Sequence, residues 1–359
     1  MVLVNKLKGL EQGVPLAGRT TICLGGDARY FVSCRSVDDL KSALEYAHSE
    51  GLRVEILGGG SNVVFPDEGF DGIVIQVGMQ GIQFDEENEN VNVTAAAGET
   101  WDRLVEASVS RNYSGVECLS GIPGSVGATP IQNVGAYGQE VKDTILNVTA
   151  LDRETLEPRE FSASECAFGY RNSRFKSTDR NKYVVTGVVY RLSVSGEPTL
   201  KYEELREFVQ SRGILENREP GKSKLELVRE SVLALRKKKS MLVDPGDPNL
   251  RSVGSFFVNP ILSDSAYLDF LRNLKAEGIE RAPSYRAADG IKIPAAWLVE
   301  KSGFKKGYRK GGVGISSNHS LALVNYSGTA RELLALAADI EEAVQRKFGI
   351  RLEREAVVI

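Results

Sequence analysis

Gly121-Ile122-Pro123-Gly124-Ser125-Val126-Gly127-Ala128-Thr129-Pro130-Ile131-Gln132-Asn133-Val134-Gly135-Ala136-Tyr137-Gly138-Gln139-Glu140 decides how the rest of the chain is read. Five glycines are interleaved here with Pro123 and Pro130. Glycine permits close backbone approach and proline fixes φ, so the stretch reads as a rigid, tightly turned backbone. It carries almost no charge. An anion lying on it is expected to be held by backbone N–H groups, without nearby cations. A second loop, Gly58-Gly59-Gly60-Ser61-Asn62, follows directly on the apolar run Val54-Glu55-Ile56-Leu57. Two such loops in one chain are expected to form two walls of one nucleotide-shaped groove.

Working outward, 359 residues exceed a typical single core, so two or three domains are expected. With 42% hydrophobic and 26% charged residues, the composition is that of an ordinary globular protein. A net charge of −3 gives no basic field for nucleic acid. No run approaches the roughly 20 apolar residues of a membrane span, and residues 1–8 lack the apolar core of a signal peptide. A cytoplasmic protein without membrane or nucleic-acid partners, and a monomer, is expected. Cys23, Cys34, Cys118 and Cys166 show no C-x-x-C spacing and the histidines are only His48 and His319. No metal site is therefore expected, a Ser-His-Asp hydrolase is disfavoured, and all four cysteines read as buried reduced thiols.

In order, residues 23–34 look extended, and Ser36 is placed to cap a helix with Val37, Leu40, Leu44 and Ala47 on one face. The strand 53–57 completes a β-α-β unit. It is not a dinucleotide fingerprint, because Gly58, Gly60 and Val63 supply two of the three glycines and no periodic helix follows. Strands are expected at 72–77, 91–97, 145–152 and 183–194, and a helix from Thr100 to Asn112. Around 213–224 the chain turns polar, near an expected boundary at 195–222. Gly221-Lys222-Ser223 mimics the end of a P-loop, but Glu216 stands where that loop needs glycine. An amphipathic helix over 225–239 ends in Arg236-Lys237-Lys238-Lys239, which fits either a solvated last turn or a phosphate contact. Helices at 264–277, 295–302 and 329–348, a strand at 320–325 and a closing strand from 351 complete an α+β reading.

The two glycine loops, with Phe168-Gly169-Tyr170-Arg171-Asn172-Ser173, Gly254-Ser255-Phe256-Phe257-Val258-Asn259-Pro260 and Leu352-Glu353-Arg354-Glu355, resemble the UDP-N-acetylenolpyruvoylglucosamine reductases, flavoproteins of peptidoglycan precursor synthesis. The resemblance implies an N-terminal lead-in at 1–23 and an FAD-binding domain of the vanillyl-alcohol-oxidase (PCMH) type, in two lobes, at 24–194. It further implies an α+β substrate-binding domain at 195–349 and a C-terminal strand, 350–359, returning to the active site. FAD and NADPH are the implied cofactors and a UDP-sugar the implied substrate. Leu57, Gly58, Gly59, Gly60, Ser61, Asn62, Ile122, Pro123, Gly124, Ser125, Gly127, Ala128, Gly135 and Arg171 would bind the cofactor. Tyr202, Lys239, Asn259 and Glu300 would bind the substrate, and the segment 167–176 with Tyr202 resembles the longer family form with a tyrosine loop.

By the same resemblance Arg171, Ser255 and Glu355 would be catalytic. Reducing an enol ether conjugated to a carboxylate needs a hydride at the β-carbon, which no side chain supplies. It also needs fixed charge for the enediolate-like intermediate, suiting the Arg171 fork, and a proton for the α-carbon, matching Ser255. Arg354 stands where the family has Pro, so Glu353 is an alternative to Glu355, and Glu300 replaces a frequent Gln. A flavin oxidase of the same fold, or a silent nucleotide-binding module, are the rival readings. The first glycine loop has no His or Cys for a flavin tether, and the catalytic trio is intact.

Overall fold

The computed structural model describes residues 7–216 and 221–359. The start of the lead-in and part of the polar stretch at 213–224 lie outside the described residues. The chain forms two compact units. One comprises Met1–Val14, Ala28–Gly60 and Phe70–Val243, the other Pro15–Asp27, Ser61–Gly69 and Asp244–Ile359.

In the first unit, a four-stranded sheet runs in the order Glu11–Pro15, Asp27–Cys34, Phe70–Val77, Val54–Leu57. Its last three strands are parallel, and both Ser33 and Leu57 lie opposite Gln76, so their carboxyl ends finish level. Helix α1, Val37–Ser49, starts at Ser36, whose side chain accepts from the Asp39 amide while Asp39 returns a bond to the Ser36 amide. It buries Leu40, Ala43, Leu44 and Ala47. A second, antiparallel sheet has the order Pro158–Ser162, Ile145–Asp152, Tyr183–Ser193, Asn90–Ala96, Ile82–Glu87. One apolar cluster runs through both sheets. Helix α2, Trp101–Val109, anchors itself through Trp101 Nε1, which donates to the Leu119 carbonyl at 3.0 Å. It stops short of Asn112, which adopts a left-handed φ of 61° in the turn that follows.

Helices α3, Glu203–Gln210, and α4, Lys224–Lys238, bury Leu205, Val209, Val228, Val232 and Leu235 with Cys118 in a separate cluster. That shared apolar face is why residues 195–243 belong to the first unit rather than beginning the second. Ser223, from the P-loop look-alike, instead caps α4 by exchanging bonds with Glu226.

In the second unit, Ser252–Ser255, Ala322–Asn325, Val313–Ile315 and Arg309–Lys310 form an antiparallel sheet in that order. Around it stand α5, Asp264–Ala276, α6, Ala295–Lys301, and α7, Ala330–Phe348. Asp67 accepts from the first amides of α7, Ala330 N at 2.7 Å and Arg331 N at 3.0 Å, and so ties the short 61–69 segment to that helix. A carboxylate at a helix N-terminus is favoured by the dipole. The closing segment makes an isolated antiparallel bridge, Arg354 to Phe257, and then pairs Val357–Val358 parallel to Val63–Val64.

Cys34, Cys118 and Cys166 are buried free thiols, and burial pushes Cys34 and Cys166 up to about 12. Cys23 corrects the reading of four buried cysteines. It is exposed, held at φ 54° in a turn whose carbonyls, Thr20 O and Thr21 O, accept from its Sγ. Among the described residues no helix is long and apolar enough to cross a membrane, and no group of three or more His, Cys, Asp or Glu is placed to hold a metal ion.

Candidate active site

The level ends of the parallel strands open into a cavity of about 580 Å³ in the first unit. Carboxyl ends of parallel strands are where such sheets receive ligands. Ser33, Arg35, Gln76, Gly78, Gly58 and Gly59 line it from the sheet, Gly98, Thr100, Gly124 and Ser125 from the facing chain. The two glycine loops therefore do meet. A Cβ on Gly59 would lie 2.8 Å from Gly124 Cα, and one on Gly58 would lie 2.6 Å from Ser125 Oγ. Only backbone without side chains fits there, which suits the close approach of a pyrophosphate. The sequence points to N–H groups alone for an anion here, whereas a cationic residue, Arg35, also lines the cavity. Arg35 escaped notice because nothing local marks it. The register of a parallel strand brings it there.

Not every glycine-loop residue faces the cavity. The Gly127 amide donates to Ala97 O at 2.8 Å and the Ala128 amide to Ser125 O at 3.1 Å. Leu57 is buried in the core. Gly121 is fixed by its amide, which donates to Asp102 Oδ1 at 2.6 Å. Asp102 also takes a two-pronged grip from Arg229, at 2.6 and 2.8 Å. Burial pushes the Asp102 carboxyl up, but Arg229 and the Gly121 amide outweigh it and hold it below the usual range. The approach to Ile122-Pro123-Gly124 is thus tied to α2 and α4.

Further along, Gly135–Ala136 and Gln139–Glu140 form a hairpin with Tyr137 at its tip. Arg171, at a left-handed φ of 52°, donates through Nη2 to Gly135 O at 2.7 Å. Its own carbonyl accepts from Lys176 Nζ at 3.1 Å. Tyr137 lies edge-on to Tyr202, ring centres 5.6 Å apart, and beneath the Lys239 ammonium at 5.6 Å. Lys239 pairs with Glu204 at 2.5 Å. Burial raises the Tyr137 phenol to about 12, opposed by Arg236. The basic helix end divides: Lys237 and Lys238 are exposed, while Arg236 is buried and donates to Met241 O at 2.7 Å. Tyr202 and Lys239 are therefore neighbours, joined by Tyr137, a residue sequence reasoning did not single out.

In the second unit the strand Ser252–Ser255 carries an irregular register between Ser252 and Ser255, with Gly254 at φ +74°. Such bulges re-aim the following side chain. The Ser255 hydroxyl is half-buried and has no hydrogen-bond partner among the described residues. Phe256 and Phe257 behind it are fully buried, their rings 5.2 Å apart. The Glu355 amide donates to Phe256 O at 2.8 Å, and the Val258 amide to Glu353 O at 2.9 Å. Asn62 Nδ2 donates to Glu355 O at 3.1 Å. Ser255, Glu355 and Asn62 thus lie on adjoining segments of chain. Glu355 is half-buried and Glu353 exposed, while Arg354 is gripped by Glu341 of α7 at 2.6 and 3.0 Å. Asn259 and Glu300 share α6: Asn259 Oδ1 accepts from Ala295 N at 2.8 Å at its start, and Glu300 accepts from the Ser320 hydroxyl near its end.

Residues 28–155 match the FAD binding domain family, and residues 246–359 match the C-terminal domain of UDP-N-acetylenolpyruvoylglucosamine reductase. The chain is 46% identical over 354 residues to the UDP-N-acetylenolpyruvoylglucosamine reductase of Thermobifida fusca, covering 97% of each. It is 40% identical over 361 residues to that of Mycobacterium tuberculosis, covering 98% of this chain and 95% of the other. The crystal structure of the Thermus caldophilus reductase superposes with a TM-score of 0.63 at 22% identity, over 97% of both chains, a likeness of fold.

Proposed function

Because this chain belongs to the UDP-N-acetylenolpyruvoylglucosamine reductase family, we propose that it reduces UDP-N-acetylglucosamine enolpyruvate to UDP-N-acetylmuramate, with NADPH as reductant and FAD as carrier. The observation that carries this reading is the 46% identity to such a reductase along 97% of each chain. The cavity fits FAD, since glycine backbone from both loops lines it, together with Arg35, as the close approach of a pyrophosphate requires. Gly58, Gly59, Gly124 and Ser125 would hold FAD, which when bound would supply hydride transfer between NADPH and the enolpyruvyl β-carbon. We read the protein as a cytoplasmic monomer, a compartment that its free thiols suit.

Within this reading, Gly58, Gly59, Gly124, Ser125 and Arg35 hold the cofactor's phosphates. Tyr202 and Lys239 grip the diphosphate of the UDP-sugar, while Glu300 acts from α6 and Asn259 from the segment bonded to the start of that helix. Arg171, kept in place through Gly135, offers permanent positive charge to the substrate carboxylate as it gains electron density. Ser255 gives its hydroxyl proton to the α-carbon. A serine is a weak acid, but the intermediate is strongly basic and the apolar backing of Phe256 and Phe257 keeps water away. Glu355 is the catalytic carboxyl in this reading, supported by its half-burial and its amide's bond to Phe256 O, whereas Glu353 is exposed.

The test is turnover with purified protein. FAD should be released on heat denaturation, and NADPH oxidation should require the enolpyruvyl sugar and yield a product carrying two more hydrogens. Protein that stays colourless after reconstitution with FAD, or NADPH oxidation indifferent to the sugar, would overturn the reading.

A further inference from the structure

Glu117 is completely buried, and among the described residues it makes no salt bridge. A carboxylate buried without a cation is retained only where hydrogen bonds satisfy it. Three N–H groups do so: Gly115 N at 2.7 Å on one oxygen, and Gln139 Nε2 and Thr199 N, both at 2.8 Å, on the other. The last two come from chain 22 and 82 residues away. The neighbouring Cys118 doubles both grips. Its amide donates to Gln139 Oε1 at 2.8 Å, and its Sγ donates to Thr199 O at 3.1 Å. Gln139 is therefore held at both ends of its amide, and Thr199 at both its N–H and its carbonyl.

The two gripped positions lead to the two tyrosines. Gln139 pairs with Ala136 in the hairpin whose tip is Tyr137. Thr199 stands three residues before Tyr202. Within the Tyr137, Tyr202 and Lys239 group, the contacts are a ring edge and a cation over a ring, which are weak and leave much freedom of their own. Lys239 is also paired with Glu204, and a second set of directional bonds lies at Glu117. We infer that Glu117 is a positioning residue for substrate recognition, pinning the hairpin to the segment entering Tyr202 so that the Tyr137–Tyr202–Lys239 face keeps one shape. This rests on the reading above that Tyr202 and Lys239 grip the UDP diphosphate.

Glu117→Gln is the direct test, because it keeps the shape but turns an NH₂ against one of the N–H donors. It should raise KM for the UDP-sugar about tenfold, the scale of one charge-assisted hydrogen bond, with a smaller change in kcat. Bound FAD and the rate of flavin bleaching by NADPH should be unchanged. In a Tyr202→Ala background the same substitution should add little to KM, since the two act through one surface. Gln139→Met removes both bonds to the hairpin and Cys118→Ala one of the two to Thr199; each should raise KM about threefold or more, which decides the matter if Glu117→Gln fails to fold. An unchanged KM in the arm variants, an effect confined to melting temperature or flavin content, or full additivity with Tyr202→Ala would overturn the inference. If Tyr202→Ala and Lys239→Ala themselves leave KM unchanged, the anchor reading fails; if they raise it and the pin variants do not, the pin alone fails.

Discussion

Two glycine positions in this chain do opposite jobs. At Gly59 the missing side chain makes room, since the space a Cβ would take is already filled by the backbone of Gly124. At Gly254 there is open space all round, and what glycine supplies is a left-handed φ of +74°. The first lets two loops close into a wall with no side chains in it. The second bends a strand so that one side chain, Ser255, is aimed. In the proposed function, recognition of the cofactor then falls largely to backbone, and the proton to a single hydroxyl.

Gly59→Ala attacks the first half of that contrast and should have the largest effect. Its Cβ cannot be accommodated without parting the loops, so the purified protein should contain no bound flavin, read from its visible absorption and from FAD released on heating. Full flavin content in this variant would mean the loops are not a closed cradle. Ser255→Ala addresses the second half. Flavin bleaching by NADPH should survive, while reoxidation by the enolpyruvyl sugar slows by about 10²–10⁴-fold in stopped flow, the usual worth of a general acid. If bleaching also failed, Ser255 would belong with the cofactor contacts.

Lys239→Ala moves to the region where side chains bind rather than react. Here kcat/KM for the UDP-sugar should fall on the order of 10–100-fold, through KM, because a charge-assisted phosphate contact is felt equally in ground and transition states. Arg171→Ala should instead lower kcat, its charge being needed most once the intermediate forms. Gly254→Ala is the smallest change expected. With no steric conflict, it should keep its flavin and lose about 1–2 kcal/mol of stability to left-handed strain, visible as a lower melting temperature.

The locally written features were readable in the sequence. Ser36 with Asp39 starts α1 and Thr329 starts α7 because a cap needs only residues three apart. The glycine loops are likewise continuous stretches. What was not legible depends on partners far along the chain. Arg35 reaches the cavity through parallel register, and Tyr137 becomes a platform only once α4 brings Lys239 over it. Glu117 looks like an ordinary acidic turn residue until Thr199, 82 residues later, folds onto it. The units also interlace, with Pro15–Asp27 and Ser61–Gly69 belonging to the same unit as Asp244–Ile359. A linear division into 24–194 and 195–349 cannot express that.

The bond between Asn62 and Glu355 spans 293 residues, and it has a consequence in time. At ordinary synthesis rates of about 5–20 residues per second, the 61–69 segment waits roughly 15–60 s for the strand that completes it. During that interval Val63 and Val64 have an unpaired edge, and Val64 lacks the apolar neighbours it will have in the finished core. Closing so long a loop adds only logarithmically to the entropy cost, so equilibrium stability is little affected. The exposure is one of kinetics: a stalled or slowed chain would present this edge to other chains until the segment bearing Glu355, among the last to be made, has emerged.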